Sequence, residues 1–542
     1  MTLSCANGHL SRSRLLPSLS SSFSRLQTLV FELQRWKHTF VGESLRNSIR
    51  DTDSKSPLKL GLFDPSTWRT VDSRTVGIRK SLISSSTLLV LRILRSRGFE
   101  SYLVGGCVRD LLLKRTPKDF DVITTASLEQ ITRQFHKCRI IGRRFPICQV
   151  HILGSIIEVS SFDARQKNVK ERRVPNSCAE KDFVRWKNCM ERDFTINSLF
   201  FDPFDCTIYD YVGGIKDIRT SKVCTVIPAH LSFKEDCARI LRGLRIAARL
   251  GLRFSKETAD AIQAYSSHII TLDKARLLME LNFMLAYGAA ESSIRLLQKF
   301  KLLEILLPFH AAYLADQTKQ QSDESSVMLM KLFSNVDKLL AAERPSNYYL
   351  WLGLLAFHLA LVEHPQDALV VWTLSSILYH GTWSKATEFA RQNVKGHDQF
   401  VPEILEPSES KSDELLMEET YCLASLIKSS VDALTRIDVL QQSLTRYPEF
   451  LPCLGLVFIS EKMGKNVAEL FDVLRKDITS CDEKRETREI NFELLKRGDL
   501  GETRFVLGKV IMDTMNCELT HFKSQNVALA EKKPCLLSAL FK

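Results

Sequence analysis

The 542-residue sequence lacks the features that mark several large classes of protein. Its 14 cysteines include no CxxC pair, so a zinc site has little support, and reduced, intracellular thiols are expected. No apolar run is long enough to cross a bilayer, and the longest, Trp351 to Leu361 and Ala368 to Leu378, predict buried helices. No repeat of fixed period recurs. A composition of 44% hydrophobic and 25% charged residues indicates a globular chain with room for several domains.

Acidic residues are missing from Met1 to Phe31, where serines crowd positions 18–24 and three arginines carry positive charge. This pattern is typical of an organelle transit peptide, so residues 1–45 are predicted to direct the protein to a mitochondrion or plastid. A disordered basic tail is the alternative, and it leaves the cytoplasm or nucleus open. The whole chain has a net charge of +12, which suits a polyanionic partner but equally serves solubility.

Strand and helix signals alternate early in the chain and give way to helical ones. Ser81 to Arg97 is apolar with a helical period and is followed by Gly98, which predicts a helix and its end. Ile147 to Leu153 and Ile156 to Ser160 flank a turn at Gly154 and Ser155, which predicts a hairpin.

The remainder of the chain sets the expected domain layout. Gln166 to Asn188 is rich in lysine and arginine and poorly periodic, which predicts a mobile loop, and helical patterns continue beyond Leu231. We therefore predict an α+β fold. Its expected parts are a linker at residues 46–79, a small head at 80–215, a helical neck at 216–310, and a helical body and tail at 311–542.

Two glycines stand where a predicted strand turns into a helix. Gly105 and Gly106 follow the apolar run Tyr102 to Val104, and Arg109 lies three residues on. Glycine lets the backbone approach a phosphate closely, a helix N-terminus offers free N–H donors, and arginine adds charge-assisted contacts. The corner is therefore a candidate site for a nucleoside triphosphate, although a Gly-Gly turn alone is more often structural.

Two carboxylates follow this corner, in the predicted strand that contains Phe120 to Ile123. Asp119 and Asp121 are spaced i and i+2, so on a strand both project to one side. Nearby carboxylates repel each other unless a cation lies between them, and Mg²⁺ is usually held by carboxylates together with substrate phosphates. Glu158, in the apolar strand Ile156 to Val159, is the candidate third carboxylate of a site with two Mg²⁺ ions. A solvent-facing glutamate on an edge strand is its alternative.

The segment from Tyr102 to Thr125, YLVGGCVRDLLLKRTPKDFDVITT, resembles the catalytic head of the class II nucleotidyltransferases. This family comprises bacterial-type poly(A) polymerases and CCA-adding tRNA nucleotidyltransferases. The resemblance runs from Leu88 to Pro308 and implies a β-polymerase-like head with a helical neck, body and tail. It also implies that Mg²⁺ is the cofactor, ATP the substrate and RNA 3′ ends the partner.

Three further motifs carry the resemblance. Arg192 to Ser198 is similar to the motif that recognises the incoming nucleotide and its sugar, which assigns Arg192, Asp193 and Asn197. Asp210 to Asp217 is similar to the hinge between head and neck. Glu235 to Arg239 is similar to the motif that reads the base, which assigns Asp236 and Arg239.

The base-reading segment also has a physical interpretation. Arg239, Arg242 and Arg245 fall on one arc of a helix, with Asp236 three residues before Arg239. Asp and Arg that hold each other can present acceptor and donor groups to a base. A solvated basic face is the alternative, but no glutamate is interspersed among these arginines.

The stretch Ile140 to Val150 favours one branch of the family. Its two aliphatic residues, glycine, Arg143, Arg144, Phe145 and later Gln149 resemble the signature of the poly(A) polymerases, and the two arginines would meet a phosphate or the RNA backbone. We therefore predict adenylate addition to RNA 3′ ends. CCA addition to tRNA is the first alternative, and a non-catalytic RNA-binding protein on the same fold is the second.

Two departures from the family pattern bear on this prediction. Glu191 stands where the nucleotide motif usually has a second arginine, and a negative charge there would weaken triphosphate binding or change selectivity. Lys274-Ala-Arg276 with Glu280 follows the last family motif only loosely.

Overall fold

The computed structural model describes the chain in segments, and all described helices and strands lie within residues 64–542. The described residues are 62–142, 146–162, 175, 177–320, 327–394, 400, 402–408, 411–444, 458–472 and 489–516. The predicted transit peptide, Arg143 and Arg144 lie outside them.

An eight-stranded sheet forms the centre of the head. The strands are β1 (Arg69–Asp72), β2 (Ser101–Val104), β3 (Val122–Thr124), β4 (Cys138–Ile141), β5 (Ile147–Ile152), β6 (Ser155–Ser161), β7 (Phe200–Asp202) and β8 (Thr207–Asp210). Their order is β1-β8-β7-β2-β3-β6-β5-β4, and β3 and β6 pair in parallel while the other neighbours are antiparallel. Strand β1 belongs to the segment predicted as a linker, so the sheet takes in residues before position 80.

The local sequence explains the first elements of the head. The helix Ser85–Ser96 begins where the side chain of Ser84 accepts a hydrogen bond from the Thr87 N–H at 3.2 Å. Strands β5 and β6 form the predicted hairpin, but its turn lies at Leu153 and Gly154, one residue earlier than expected. Both turn residues have positive φ (48° and 72°), as a two-residue hairpin turn of type I′ requires.

The predicted mobile loop Gln166 to Asn188 is wrong in its second half, where a helix spans Glu180–Met190. The helical period is not recognised in the sequence because Arg185, a charged residue, occupies a buried position on this helix. Its guanidinium Cζ lies 4.0 Å from the ring centroid of Tyr209 and its Nη2 lies 2.8 Å from Asp182. A stacked and paired arginine therefore behaves as a core residue here.

Helices account for most of the rest of the described chain. The other head helices are Gly106–Leu112, Leu128–Gln134 and Gly214–Arg219. The neck helices are Ala229–Glu235, Ala238–Leu250, Lys256–Tyr265, Lys274–Leu285, Ala290–Lys299 and Leu303–Leu306. The body helices are Pro308–Gln320, Met328–Leu339, Tyr348–Glu363, Ala368–His380, Trp383–Asn393, Asp413–Thr435, Ile437–Leu444, Glu461–Ala468, Phe492–Arg497 and Leu500–Met515. Two short parallel strand pairs, Lys222–Val223 with Arg253–Phe254 and Gln366–Asp367 with Ile404–Leu405, interrupt them.

The two long apolar runs form buried helices, as predicted. Tyr348–Glu363 and Ala368–His380 bury residues on all sides within the body core. Within the described segments, every helix is too short or too polar to span a bilayer. The α+β prediction is thus confirmed, with a sheet-based head followed by a largely helical region.

One core joins the head to the neck helix Ala238–Leu250. Ile246, Ala247 and Leu250 of that helix pack in the same buried cluster as the head. Gly243 permits this approach, because a Cβ there would lie 2.8 Å from Cζ of Phe194. The neck helix is therefore fixed against the residue that follows Asp193.

Candidate active site

The glycine corner lies where the sequence predicts it. Strand β2 ends at Val104, the helix Gly106–Leu112 follows, and Gly105 has φ +82° and ψ −137°, a conformation open essentially to glycine alone. A Cβ on Gly105 would lie 3.3 Å from Nη1 of Arg192 and 3.8 Å from Oδ2 of Asp121. The corner therefore sits directly beside one of the two predicted metal ligands.

Asp119 and Asp121 precede β3 rather than lying within it, because the strand begins at Val122. The prediction that both residues lie on the strand is therefore wrong, and Asp119 lies in a bend with its side chain 74% exposed. Asp121 stays half-buried, and its backbone carbonyl accepts a hydrogen bond from the Val104 N–H at 3.1 Å.

Glu158 lies beside Asp121 through the sheet register. Val122 is opposite Val159 in the parallel pair of β3 and β6, so the residues just before them, Asp121 and Glu158, are neighbours on the face opposite the buried valines. Glu158 also accepts a hydrogen bond from Nε2 of Gln149 at 3.3 Å. The structure brings this candidate third carboxylate to the predicted place.

The electrostatics of Asp121 fit a cation. The pKa of Asp121 is raised to about 6, mainly by burial and also by the charges of Glu158 and Asp119, while the charge of Arg192 opposes the rise. A divalent ion among these carboxylates would relieve the repulsion. No cluster of three His, Cys, Asp or Glu side chains suited to a metal occurs among the described residues. Carboxylate oxygens supplemented by substrate phosphates nevertheless match the way Mg²⁺ is commonly held.

Asp193 lies at the centre of a polar network that joins head and neck. It is 9% exposed and accepts hydrogen bonds from Nδ2 of Asn197 at 3.2 Å and from Nη1 of Arg242 at 3.0 Å. Burial favours a raised pKa for Asp193, but the charge and hydrogen bond of Arg242 hold the pKa below its usual value. Asn197 in turn accepts from Nη1 of Arg109 at 2.7 Å. The network thus runs from the neck to the glycine corner.

Glu280 extends this network into the neck. It is 2% exposed on the helix Lys274–Leu285, with Oε2 3.1 Å from Nε of Arg245 and Oε1 3.8 Å from Nε of Arg242. A buried glutamate is stable only when it is paired, so it and the two arginines constrain one another. In the sequence, Glu280 is indicated only by a loose match to the last family motif.

The predicted pair of Asp236 and Arg239 does not form. Asp236 lies between two helices rather than on one, and its Oδ2 is 2.8 Å from Nη2 of Arg276. Arg239 instead donates from Nη1 to Oε2 of Glu235 at 3.2 Å and to Oγ of Ser232 at 2.9 Å. The break after Glu235 rotates Asp236 away from the helical arc on which the prediction placed it, so Arg276 is its partner.

Arg192 lies at the glycine corner, as the nucleotide motif implies. Its Nη1 donates to the backbone carbonyl of Asn197 at 3.2 Å and its Nε donates to Oδ1 of Asn188 at 3.2 Å. Glu191 ends the helix Glu180–Met190, and its effect on nucleotide binding stays a prediction.

Two parts of the chain match known protein families. Residues 101–224 match the family model described as "Poly A polymerase head domain", and residues 251–314 match "Probable RNA and SrmB- binding site of polymerase A". Poly(A) polymerase I of Escherichia coli O6:H1 is 37% identical over 248 residues, which cover 44% of this chain and 53% of that protein. The CCA-adding enzyme of Staphylococcus epidermidis is 29% identical over 226 residues, which cover 41% and 55%.

A solved structure also aligns with much of the chain. The Bacillus stearothermophilus CCA-adding enzyme in complex with CTP aligns with a TM-score of 0.40 at 20% identity, covering 66% of this chain and 87% of that one. The chain spans about half the length of the curated relatives it matches. The two family matches, in order along one chain, identify residues 101–224 and 251–314 as the head and RNA-binding domains of the class II nucleotidyltransferase family.

Proposed function

We propose that the protein adds nucleotides to RNA 3′ ends without a template, and that the nucleotide is adenylate from ATP. The observation that carries this proposal is the position of Asp121, beside both Glu158 and the Gly105 corner. Carboxylates next to a glycine corner that a phosphate can approach are an arrangement suited to phosphoryl transfer.

Different residues of the chain would bind the triphosphate, the sugar and the base of ATP. Arg109 and Arg192, both at the glycine corner, would contact the triphosphate. Asp193 and Asn197 would orient the sugar, since their hydrogen bonds already fix both side chains. Asp236, with Arg276 and nearby Arg239, would select the base.

The carboxylates would act at the RNA 3′-hydroxyl and at the phosphoryl group that is transferred. Asp119 and Asp121 would hold Mg²⁺, which supplies charge neutralisation at the transferring phosphoryl group. Glu158 would position or deprotonate the RNA 3′-hydroxyl. That hydroxyl attacks the α-phosphorus of ATP, the bond to the β-phosphate oxygen breaks, and pyrophosphate leaves.

The choice of adenylate over CCA addition is supported by the comparisons and by one sequence segment. Poly(A) polymerase I relatives are 33–37% identical over 248–279 residues, against 29–34% over 199–251 residues for CCA-adding enzymes. The signature at Ile140 to Val150 favours the same branch, although its Arg143 and Arg144 lie outside the described residues. CCA addition is the second candidate because members of both branches are similar to this chain.

An incorporation assay with two RNAs and two nucleotides tests the proposal. The purified protein is incubated with Mg²⁺ and ATP alone, CTP alone or both nucleotides together, on a single-stranded RNA and on a tRNA that lacks its CCA end. Extension of the single-stranded RNA with ATP alone is expected. Addition of a defined CCA end to tRNA only would establish the second candidate, and no incorporation on either RNA would contradict both.

A further inference from the structure

Two half-buried aromatic side chains of the neck lie next to the loop of the head that contains Lys118, Asp119 and Asp121. Phe283 is in the helix Lys274–Leu285 and Tyr287 follows its end, and their ring centroids are 5.1 Å apart. Lys118, the neighbour of Asp119, places Nζ 5.2 Å from the centroid of the Tyr287 ring. We call Phe283 and Tyr287 the aromatic pair.

Positive charge surrounds the aromatic pair. Cζ of Arg245 lies 5.0 Å from the centroid of Phe283. Burial raises the pKa of the Tyr287 hydroxyl. The charges of Arg245 and Arg249 lower this pKa and the charge of Asp119 raises it, so all three residues lie close enough to act on that ring. Arg249, on the helix Ala238–Leu250, is partly exposed and makes no ion pair within the described part of the chain.

The aromatic pair neighbours Asp119, whereas the glycine corner neighbours Asp121. Asp121 faces the glycine corner and Arg192, the proposed triphosphate site. Asp119 instead is 74% exposed and lies among Lys118 and the charges around Tyr287. The attacking hydroxyl must reach the carboxylates from a side that the triphosphate does not occupy, and the exposed Asp119 side is open to it.

We propose that Phe283 and Tyr287, with Lys118 and Arg249, form the subsite for the 3′-terminal nucleotides of a single-stranded RNA. The inference rests on the proposed function and adds the position of the RNA. Aromatic faces stack on any base and cations neutralise the adjoining phosphates, which is how single strands are bound without sequence preference. Both aromatic residues lie within 251–314, the region that matches the RNA-binding model.

The test measures RNA binding separately from catalysis. A 5′-fluorescein-labelled single-stranded oligoadenylate is titrated with the full-length protein without ATP, and its anisotropy gives Kd. Tyr287→Leu is expected to raise Kd about ten-fold, while Tyr287→Phe, which keeps the ring, stays close to the unmodified protein. Tyr421→Leu is the matched control, because Tyr421 is an exposed tyrosine, 54% accessible, on a body helix.

A second variant avoids any doubt about folding. Lys118 is 42% exposed, so Lys118→Gln leaves the core untouched. It should weaken binding and reduce the slope of log Kd against log salt concentration by about one. In steady state both variants should raise KM for RNA and leave KM for ATP unchanged.

The outcomes separate this inference from the proposed function. Unchanged Kd and KM for RNA in Tyr287→Leu and Lys118→Gln would overturn the subsite, as would failure of the unmodified protein to bind the RNA. A protein that binds RNA through Tyr287 but incorporates no nucleotide would support the subsite and refute the proposed function. A rise in KM for ATP instead would assign the aromatic pair to the incoming nucleotide and overturn the inference.

Discussion

Arg242 of the neck places Nη1 3.0 Å from Oδ2 of Asp193 in the head, and Asp193 is almost fully buried. This contact links the residue proposed to orient the sugar to the helix that carries the base-reading arginines. The proposed nucleotide site therefore draws on both head and neck, and residues remote from the glycine corner should affect ATP binding.

Glu280 is the first such residue. Its buried carboxylate holds Arg242 and Arg245, so Glu280→Gln should let Arg242 turn away from Asp193 and raise Kd for ATP roughly ten-fold. Kd is measured with an ATP analogue that cannot be cleaved between the α- and β-phosphates. Glu291→Gln is the matched control, since Glu291 is a neck glutamate in a part-exposed pair with Arg295. Equal affinities in the two variants would contradict the linkage.

Arg276 should determine base selection as strongly as Asp236 does. The two side chains lie 2.8 Å apart, so removing either charge releases the other. Arg276→Gln and Asp236→Asn are both expected to lower the ratio of kcat/KM for ATP to that for CTP, by a similar factor. Ratios unchanged in Arg276→Gln but lowered in Asp236→Asn would show that Asp236 works without this partner.

The two corner glycines should differ in their tolerance of alanine. Gly105 has φ +82° and a Cβ there meets Arg192, so Gly105→Ala should cost roughly 1–3 kcal/mol of unfolding free energy and disturb ATP binding. Gly106 lies in the helix, and a Cβ there meets only the flexible end of Arg109 at 3.5 Å. Gly106→Ala should therefore fold normally. Urea unfolding of both variants measures the difference, and equal stability would refute the strain argument.

A buried histidine in the body should make the protein sensitive to acid. Burial lowers the pKa of His310 from 6.5 to about 4, and His358 beside it is lowered as well. Between pH 6.5 and about pH 4, His310 is protonated in the unfolded state but stays neutral in the folded state. The free energy of unfolding therefore falls as the pH drops through this range. The loss approaches roughly 3 kcal/mol for His310. His310→Gln should lose less unfolding free energy between neutral pH and about pH 5, and an identical loss would exclude this cause.

Local patterns in the sequence predicted the elements that position the site. The corner at Gly105, the hairpin that carries Glu158 and the buried helices of the body follow from glycine placement and hydrophobic period, which are properties of short segments. Arg109, Asp193 and Arg242, assigned separately, meet in one network. The roles assigned to these residues stay predictions.

Contacts between distant segments could not be predicted in the same way. The pairing of Asp236 with Arg276 joins residues forty positions apart, and a break in the helix after Glu235 decides it. The burial of Arg185 depends on three tyrosines supplied by other strands and loops. Lys118 meets Tyr287 only because the neck packs against the head. Each depends on the tertiary fold, and a single sequence carries no local signal for it.

Asp121 is the residue on which the account depends most, and Asp121→Asn tests it most directly. The measurement is single-turnover incorporation of labelled ATP into single-stranded RNA across a Mg²⁺ titration, with thermal unfolding of both proteins recorded in the same buffer. We expect the variant to fold, to bind RNA and to incorporate nothing detectable at any Mg²⁺ concentration. Incorporation at the rate of the unmodified protein would contradict the metal site and the proposed reaction together.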